Sequence, residues 1–338
     1  MAMAQDQPER TSDVVNNQIY YQLKWIPWGP GDDEFVPIVT QNENGPCPLI
    51  ALANVLLLSH RIKIGGGETL VSSSHLMDLL GSCLLENPLA DYHSANYQQN
   101  MQDAMAAFPR LQTGLDVNVK FNSVQSFEFT SESGIFDLFQ VPLYHGWLVD
   151  PQDRHTYDVV CTLSYNQLVE MIINNQNSAD PINIQNALIC EEFLEINSSQ
   201  LTHHGLCELN RVIKEGDMCV FFRNNHFNTI FKRQGQLLLL VTDSGFVNEL
   251  GHVWKTVTDI DGSGDFLDAQ FKYSTHSIPQ GNREQLPIKK EIEEEQVLHL
   301  SEPAAVANDT SSLSDWEVPR TETSNSQRHR SSDQCQIL

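Results

Sequence analysis

The sequence is poor in basic residues, and this shortage excludes one large class of function. Its 338 residues include 20 Lys and Arg against 44 Asp and Glu, which gives a formal charge of −24. Sequence-independent binding to nucleic acid needs clustered Lys and Arg that neutralise phosphates. We therefore expect no nucleic-acid partner.

Long apolar runs are also missing. A membrane-spanning helix needs about 20 consecutive apolar residues, whereas the longest run here covers residues 49–58 and is interrupted by Asn54. That run fits a buried helix, and no signal-like apolar segment opens the chain. We expect no transmembrane segment and a cytoplasmic protein, with the nucleus or a membrane surface as further locations.

The cysteines lack the spacing of disulfide frameworks and zinc sites. Seven of them stand singly along the chain, and no pair is spaced as CxxC. This usage is typical of free thiols in a reducing compartment. The acidic run 259–265 resembles a calcium loop, but Gln270 stands where the bidentate Glu would be required. We expect neither a metal nor a cofactor.

Composition divides the chain into three parts. Residues 1–17 are polar and predict a disordered arm, residues 18–274 predict one globular domain, and residues 275–338 predict a disordered acidic tail. We expect the protein to be a monomer. Within the domain, apolar periodicity predicts strands and helices over the segments that follow. Strands are expected at 20–28, 35–41, 218–224, 226–231 and 237–242, and helices at 49–60, 74–85, 97–108, 165–175 and 183–214 with a break near Ser198. Helices first and an antiparallel sheet afterwards indicate an α+β fold.

Cys47 is the strongest candidate for a nucleophile. It follows the turn-forming run Asn44-Gly45-Pro46 and precedes Pro48, a residue suited to the first turn of a helix. Free N–H groups and the helix dipole at such a position favour a thiolate, which is the nucleophilic form of cysteine. The sequence therefore predicts a reactive cysteine at the start of a buried helix.

Two further residues complete a plausible catalytic set. Gln41 ends the preceding strand, where its side-chain amide could donate to an oxyanion. His226 begins a strand after the polar run 223–225 and is the best candidate for a general base among twelve histidines. A half-buried structural histidine is the alternative for His226, and an ordinary polar strand end is the alternative for Gln41.

Asp243 is a candidate for the third catalytic residue. If residues 233–236 form the hairpin loop, strand pairing places Asp243 opposite His226, where it could orient the imidazole. A register shift of one residue would put Thr242 there instead.

Taken together, these residues resemble the MINDY deubiquitinases, papain-like cysteine proteases that act on polyubiquitin. The resemblance extends in order along the chain. The matching segments are residues 20–28, 41–49, 113–119, 142–151, 163–168, 201–207 and 221–227. It implies a papain-like fold, with a helical part that carries the cysteine and an antiparallel sheet that carries the histidine. It also implies hydrolysis of isopeptide bonds in chains linked through the lysine at position 48 of ubiquitin, trimmed from the distal end.

The resemblance assigns roles to individual residues. Cys47 would be the nucleophile, His226 the general base and Gln41 the oxyanion donor. Two further groups of residues match family positions, one that contacts ubiquitin and one that controls a loop. Ubiquitin contacts would be Val117, Trp147, Tyr165 and Phe222, and control of a mobile loop around the cysteine would fall to Tyr21, Pro48 and Asp116. A loop tryptophan such as Trp147 is expected to be more exposed than most, and packing in the core is the alternative for it.

The last four residues, Cys335-Gln336-Ile337-Leu338, match the CaaX prenylation pattern with a geranylgeranyl-type ending. Lipidation at Cys335 would give weak membrane association, because one lipid chain needs a second signal for stable anchoring. A four-residue match also arises by chance, so both interpretations stay open. A second function also stays open: a catalytically silent scaffold that binds ubiquitin.

Overall fold

A computed structural model of the protein describes residues 14–15, 18–29, 34–42, 45–86, 99, 102–103 and 105–274. The strands are β1 Val14–Val15, β2 Gln18–Pro27, β3 Phe35–Val39, β4 Leu70–Ser72, β5 Leu143–His145, β6 Met218–Arg223, β7 His226–Arg233, β8 Gln236–Leu240, β9 Trp254–Thr256 and β10 Phe266–Leu267. The helices are α1 Cys47–Leu58, α2 Ser73–Leu85, α3 Gly134–Leu138, α4 Arg154–Val160, α5 Tyr165–Asn175, α6 Pro181–Ile196 and α7 His203–Val212. Short 3-10 helices cover Phe108–Gln112 and Ser244–Phe246.

The smaller sheet forms around β2. This strand pairs antiparallel with β1, with β3 and with β4. Val14–Val15 lies within residues 1–17, the arm that the sequence predicts to be disordered. A pair of β-branched residues has a high strand propensity and can extend an existing sheet.

The larger sheet runs in the order β10-β9-β8-β7-β6-β5, and only the β5–β6 pair is parallel. Two tight hairpins build its centre. Asn224 and Asn225 join β6 to β7 with φ values of 51° and 53°, and Gln234 and Gly235 join β7 to β8 with φ values of 50° and 74°. Positive φ at both central residues is the signature of the two-residue turns that match strand twist.

The β7–β8 register agrees with the predicted one. Lys232 faces Leu237, and the ladder continues for one more pair, Arg233 with Gln236. The sequence predicted a four-residue loop. The strands pair in the predicted register, but the connection is shorter, a turn of two residues.

Helix α1 lies between the two sheets. It contacts β3 of the smaller sheet and β6 and β7 of the larger one. Every residue from Pro48 to Leu58 is buried, as a sequence that is apolar apart from Asn54 predicts for a helix surrounded by protein. Burial of each Leu or Ile side chain contributes roughly 1.5–3 kcal/mol, so the helix is firmly held and provides a rigid base for its first residue.

Helices α5, α6 and α7 each begin at a residue that caps them. Ser164 and Gln167 form a capping box at α5, and Asp180 and Thr202 cap α6 and α7. The predicted break near Ser198 is confirmed, since α6 ends at Ile196 and α7 begins at His203. Of the helix expected over 97–108, residues 99, 102–103 and 105–107 are helical, and most of the others lie outside the described residues.

The arrangement of mixed helices and mainly antiparallel sheets agrees with the predicted α+β class. In the part of the chain that the structure describes, no helix is both long enough and apolar enough to cross a membrane. The expected tail, 275–338, and Cys335 within it lie outside the described residues.

Candidate active site

Cys47 is the first residue of α1. Pro46 precedes the helix and Pro48 occupies its first turn, so the chain enters the helix through a rigid Pro-Cys-Pro segment. Just before it, the N–H of Gly45 donates to the carbonyl of Asn42 over 3.0 Å and closes a turn. The predicted position of the cysteine at the junction of a turn and a buried helix is confirmed.

The electrostatic state of Cys47 differs from the predicted thiolate. Burial raises the pKa of the Cys47 thiol, and this outweighs the opposing backbone N–H groups of Phe227 and of Cys47 itself. A charge at this half-buried position loses hydration that one turn of helix does not replace. The thiol is therefore neutral at rest, and its proton must be removed by a base.

His226 lies at the start of β7, directly before the Phe227 N–H that faces the Cys47 thiol. The strand thus brings the backbone of the residue next to the predicted base to the predicted nucleophile. Burial lowers the pKa of His226, which keeps the imidazole neutral and able to accept a proton. Among the described residues, no hydrogen bond joins the His226 ring to the Cys47 thiol.

Gln41 is also at the site, but its side chain is occupied. The amide Nε2 donates to the carbonyl of Gly45 over 2.9 Å. Gly45 lies two positions before Cys47, so the amide is close to the nucleophile while bound to its own loop. The backbone of Gln41 is fixed as well, because its N–H donates to Thr242 and its carbonyl accepts from Ser244.

Asp243 is placed beside Gln41, in a parallel bridge with it. Its exposed carboxylate accepts the N–H of Gly245 over 2.7 Å and caps a 3-10 helix. No hydrogen bond among the described residues joins this carboxylate to His226. The register predicted that Asp243 would face His226, but β8 ends at Leu240 and the chain turns toward Gln41 before the ladder reaches that pair.

A cavity of about 400 Å³ lies next to the β6–β7 hairpin. Its lining includes three of the residues that the sequence assigned to ubiquitin contact or loop control, namely Asp116, Val117 and Phe222. Asn225, the neighbour of His226, completes this side. Asp116 is exposed, Val117 is half-buried and Phe222 is buried.

Trp147 and Tyr165 form a second pair, with ring centroids 5.7 Å apart. Tyr165 is 38% exposed, whereas Trp147 is only 5% exposed. The expected exposure of Trp147 is wrong, because its ring packs edge-on against Phe121 and stacks on Phe193. Of this pair, Tyr165 presents the accessible surface and Trp147 supports it from below.

Tyr21 and Pro48, assigned to loop control, are both buried. Burial raises the pKa of the Tyr21 phenol, and the adjacent Ser73 hydroxyl acts in the opposite direction. Neither hydroxyl has a partner with normal hydrogen-bond geometry. Nearby, the Asn42 amide donates to the carbonyl of Tyr20 over 2.9 Å and ties the cysteine loop to β2.

The described residues contain no group of three or more His, Cys, Asp or Glu side chains arranged to hold a metal ion. The chemistry available at the site is that of a thiol, an imidazole and an amide.

Sequence reasoning missed the backbone donor at Phe227, whose N–H is directed at the Cys47 thiol. Main-chain groups leave no trace in residue type, so only the pairing of β6 with β7 could have revealed it. It also missed His145, which is buried beside Trp147.

His145 is held neutral by its surroundings. Its Nδ1 accepts the N–H of Trp147 over 3.3 Å, and its Nε2 lies 3.1 Å from the carbonyl of Ser126, to which it donates. Burial lowers the pKa of His145 to about 4.

We expect this histidine to make the fold sensitive to acid. In the unfolded chain His145 takes up a proton near pH 6.5, whereas in the folded protein it stays neutral to lower pH. Its contribution to the free energy of unfolding is therefore complete above pH 6.5 and is lost as the pH falls toward 4. The loss in unfolding free energy is about 3 kcal/mol. Urea denaturation at pH 7 and pH 4.5 measures it. His145→Gln keeps a donor and an acceptor but cannot take up a proton, so the difference in unfolding free energy between the two pH values should become smaller. An unchanged difference would contradict this assignment.

Known proteins match this chain over most of its length. Residues 19–271 match the family described as MINDY deubiquitinase. Ubiquitin carboxyl-terminal hydrolase MINDY-2 of Mus musculus is 48% identical over 266 residues, which cover 78% of this chain and 44% of the relative. MINDY-1 of Danio rerio is 49% identical over 256 residues, which cover 75% of this chain and 49% of the relative. MINDY-1 of Homo sapiens is 46% identical over 283 residues, which cover 83% of this chain and 60% of the relative. The chain spans about half the length of the curated relatives it matches. It belongs to the MINDY deubiquitinase family.

Proposed function

We propose that the protein is a papain-like cysteine protease that hydrolyses isopeptide bonds in polyubiquitin. The observation that supports the proposal is the packing of α1 against both β7 and β3. The N-terminus of α1 supplies Cys47, the start of β7 supplies His226, and the end of β3 leads to Gln41, whose amide is bound two residues before the cysteine. A thiol, a base and an amide donor are what acyl transfer through a thioester requires.

The chemistry follows from the states of these groups. Neutral His226 takes the proton of the Cys47 thiol, and the thiolate attacks the isopeptide carbonyl. The oxyanion that forms needs donors, which the Gln41 amide supplies once it leaves the Gly45 carbonyl. His226 then donates its proton to the departing lysine amine. Water, activated by the same imidazole, cleaves the thioester and releases ubiquitin's C-terminus.

The resting geometry supports a site that is switched on by its substrate. The amide of Gln41 is engaged with Gly45, and no hydrogen bond joins Cys47 to His226. For the amide to reach an oxyanion, Gln41 and Gly45 must move apart. Tyr21, Pro48 and Asp116 would control that movement, as the family resemblance suggests. Binding energy from ubiquitin would be spent on rearranging the loop.

Ubiquitin binding is proposed for the surface around the 400 Å³ cavity. Val117 and Phe222 offer apolar lining, and the exposed carboxylate of Asp116 suits the arginines in ubiquitin's C-terminal tail. Tyr165 offers an accessible aromatic ring, with Trp147 behind it. Preference for chains linked through the lysine at position 48, and trimming from the distal end, belong to the same proposal.

A linkage panel tests this function. We expect wild-type protein to shorten lysine-48-linked chains one ubiquitin at a time, and to cleave the other linkages at least about tenfold more slowly, since one correctly placed contact of 1.4 kcal/mol already gives that ratio. Mass spectrometry of labelled chains shows which end is released. Equal cleavage of all linkages would reject the specificity. No cleavage of any linkage, together with retained ubiquitin binding, would favour the silent scaffold.

Lipidation at Cys335 also remains a prediction from the sequence. Attachment there would place part of the protein at membranes and the rest in the cytoplasm or nucleus. Mass spectrometry of the C-terminal peptide from eukaryotic cells would confirm it by showing a prenyl group on Cys335, and an unmodified Cys335 thiol would contradict it.

A further inference from the structure

The apolar helix α1 contains one polar residue within the run 49–58, and that residue is Asn54. Asn54 is completely buried. Its carboxamide makes two hydrogen bonds to the same partner: Oδ1 accepts the N–H of Val39 over 2.8 Å, and Nδ2 donates to the carbonyl of Val39 over 2.9 Å. A buried amide with both functions satisfied is energetically acceptable, whereas one left unpaired would be costly.

These bonds occupy an open strand edge. In the described residues β3 pairs only with β2, and the N–H and carbonyl of Val39 point to the other side. The carboxamide stands in for a neighbouring strand there, because its N–H donor and its carbonyl acceptor lie side by side, as they do in a peptide group. Val39 lies two residues before Gln41, so the contact sets α1 against the strand that leads to Gln41.

Thr229 makes a hydrogen bond to the helix from the other side, where the larger sheet packs against it. It is 1% exposed, and its hydroxyl donates to the carbonyl of Ala51 over 3.1 Å. Thr229 lies three residues after His226 on β7, and Ala51 lies one helical turn after Cys47. This bond therefore links the strand that carries the base to the helix that carries the nucleophile.

We infer that Asn54 and Thr229 are positioning residues that hold Cys47 in register with Gln41 and with His226. This inference rests on the proposed function. Apolar packing is non-directional and by itself leaves a helix free to settle at slightly different heights between two sheets. Three hydrogen bonds, two to β3 of the smaller sheet and one to β7 of the larger sheet, define the height and rotation of α1. Such precision matters, because a displacement of about 1 Å can cost a hundredfold in rate.

The Asn54 contact is tested through Gln41. Asn54→Leu, which keeps the approximate volume and removes both bonds, should lower kcat for chain cleavage about 10- to 100-fold and leave KM within about twofold, a part of the loss expected for one oxyanion donor. In a Gln41→Ala background the same change should have almost no further effect, since the amide it positions is gone. If the two losses multiply instead, Asn54 does not act through Gln41.

The Thr229 contact is tested by two substitutions at one position. Thr229→Val removes the hydroxyl and keeps the shape, whereas Thr229→Ser keeps the hydroxyl. We expect Val to lower kcat about tenfold and Ser to stay within about threefold of wild type. Similar losses in both variants would show that packing matters and the hydrogen bond does not.

Stability is separated from positioning by a control on the same helix. Leu56→Ala removes buried apolar contacts and touches neither hydrogen bond, so kcat below its unfolding temperature should remain within about twofold of wild type. A loss as large as that of Asn54→Leu would overturn the inference.

If wild-type protein cleaves no ubiquitin chain, the proposed function is wrong, but the inference that Asn54 positions α1 can still be tested. A crystal structure of Asn54→Leu then decides the inference: a shift of α1 against β3 supports it, and unchanged positions of Gln41 and Cys47 contradict it.

Discussion

Cys47→Ala is expected to lower the rate of ubiquitin-chain cleavage by at least about 10,000-fold. The loss is large because the thiol forms the covalent intermediate, and what remains is the modest rate that binding and oxyanion stabilisation give to water. No second thiol can substitute, since the helix holds this one rigidly at its first residue. Single-turnover cleavage of a fluorescent diubiquitin measures the effect.

The control for this substitution is Cys83→Ala. Cys83 is also a half-buried free cysteine, placed on α2 rather than α1, and its loss should leave the rate nearly unchanged. Ubiquitin binding should persist in Cys47→Ala, because the small thiol adds little to the interface. Equal cleavage by Cys47→Ala and wild type would refute the assignment of the nucleophile.

His226→Asn is expected to lower kcat about 1,000-fold, within the range for loss of a positioned general base. The reason is specific to this site: burial raises the pKa of Cys47, so its thiol does not ionise alone near neutral pH. Removing the acceptor therefore removes the route by which the thiolate forms. The matched control is His60→Asn, since His60 lies just past the other end of α1, near Glu34.

The pH profile of wild type gives an independent check on the same residue. Burial lowers the pKa of His226, so the base stays neutral to lower pH than an ordinary histidine. We therefore expect the acidic limb of kcat/KM to have its midpoint below about pH 6.5. A midpoint clearly above that value would mean that a neighbouring carboxylate raises the pKa, as Asp243 would do if it moved next to the ring.

Much of this site was accessible from the sequence because its signals are local. The turn residues before Cys47, the proline after it and the apolar run behind it all favour a buried helix starting at that point. The hairpin register followed from turn residues and alternation, which fix strand pairing over short distances. Cys47, Gln41 and His226 could thus be proposed together before their geometry was known.

What the sequence could not predict depends on long-range packing. Whether helix dipole or burial dominates the pKa of Cys47 depends on how far β7 covers the thiol. The engagement of Gln41 with Gly45 is a choice among several local partners for one amide. Trp147 lies in a loop-like segment, yet Phe121 and Phe193, distant in sequence, bury it. The β7–β8 register was predicted correctly, but the ladder ends before it reaches His226, and Asp243 lies beside Gln41 instead.

The most direct test of the central claim is the reaction with ubiquitin that carries an electrophile at its C-terminus. A single covalent adduct should form, and peptide mapping should place it on Cys47, with no adduct in Cys47→Ala. The reaction should also slow markedly in His226→Asn, because the imidazole must take the thiol proton first. Absence of an adduct in wild type, or an adduct on a different cysteine, would contradict this account.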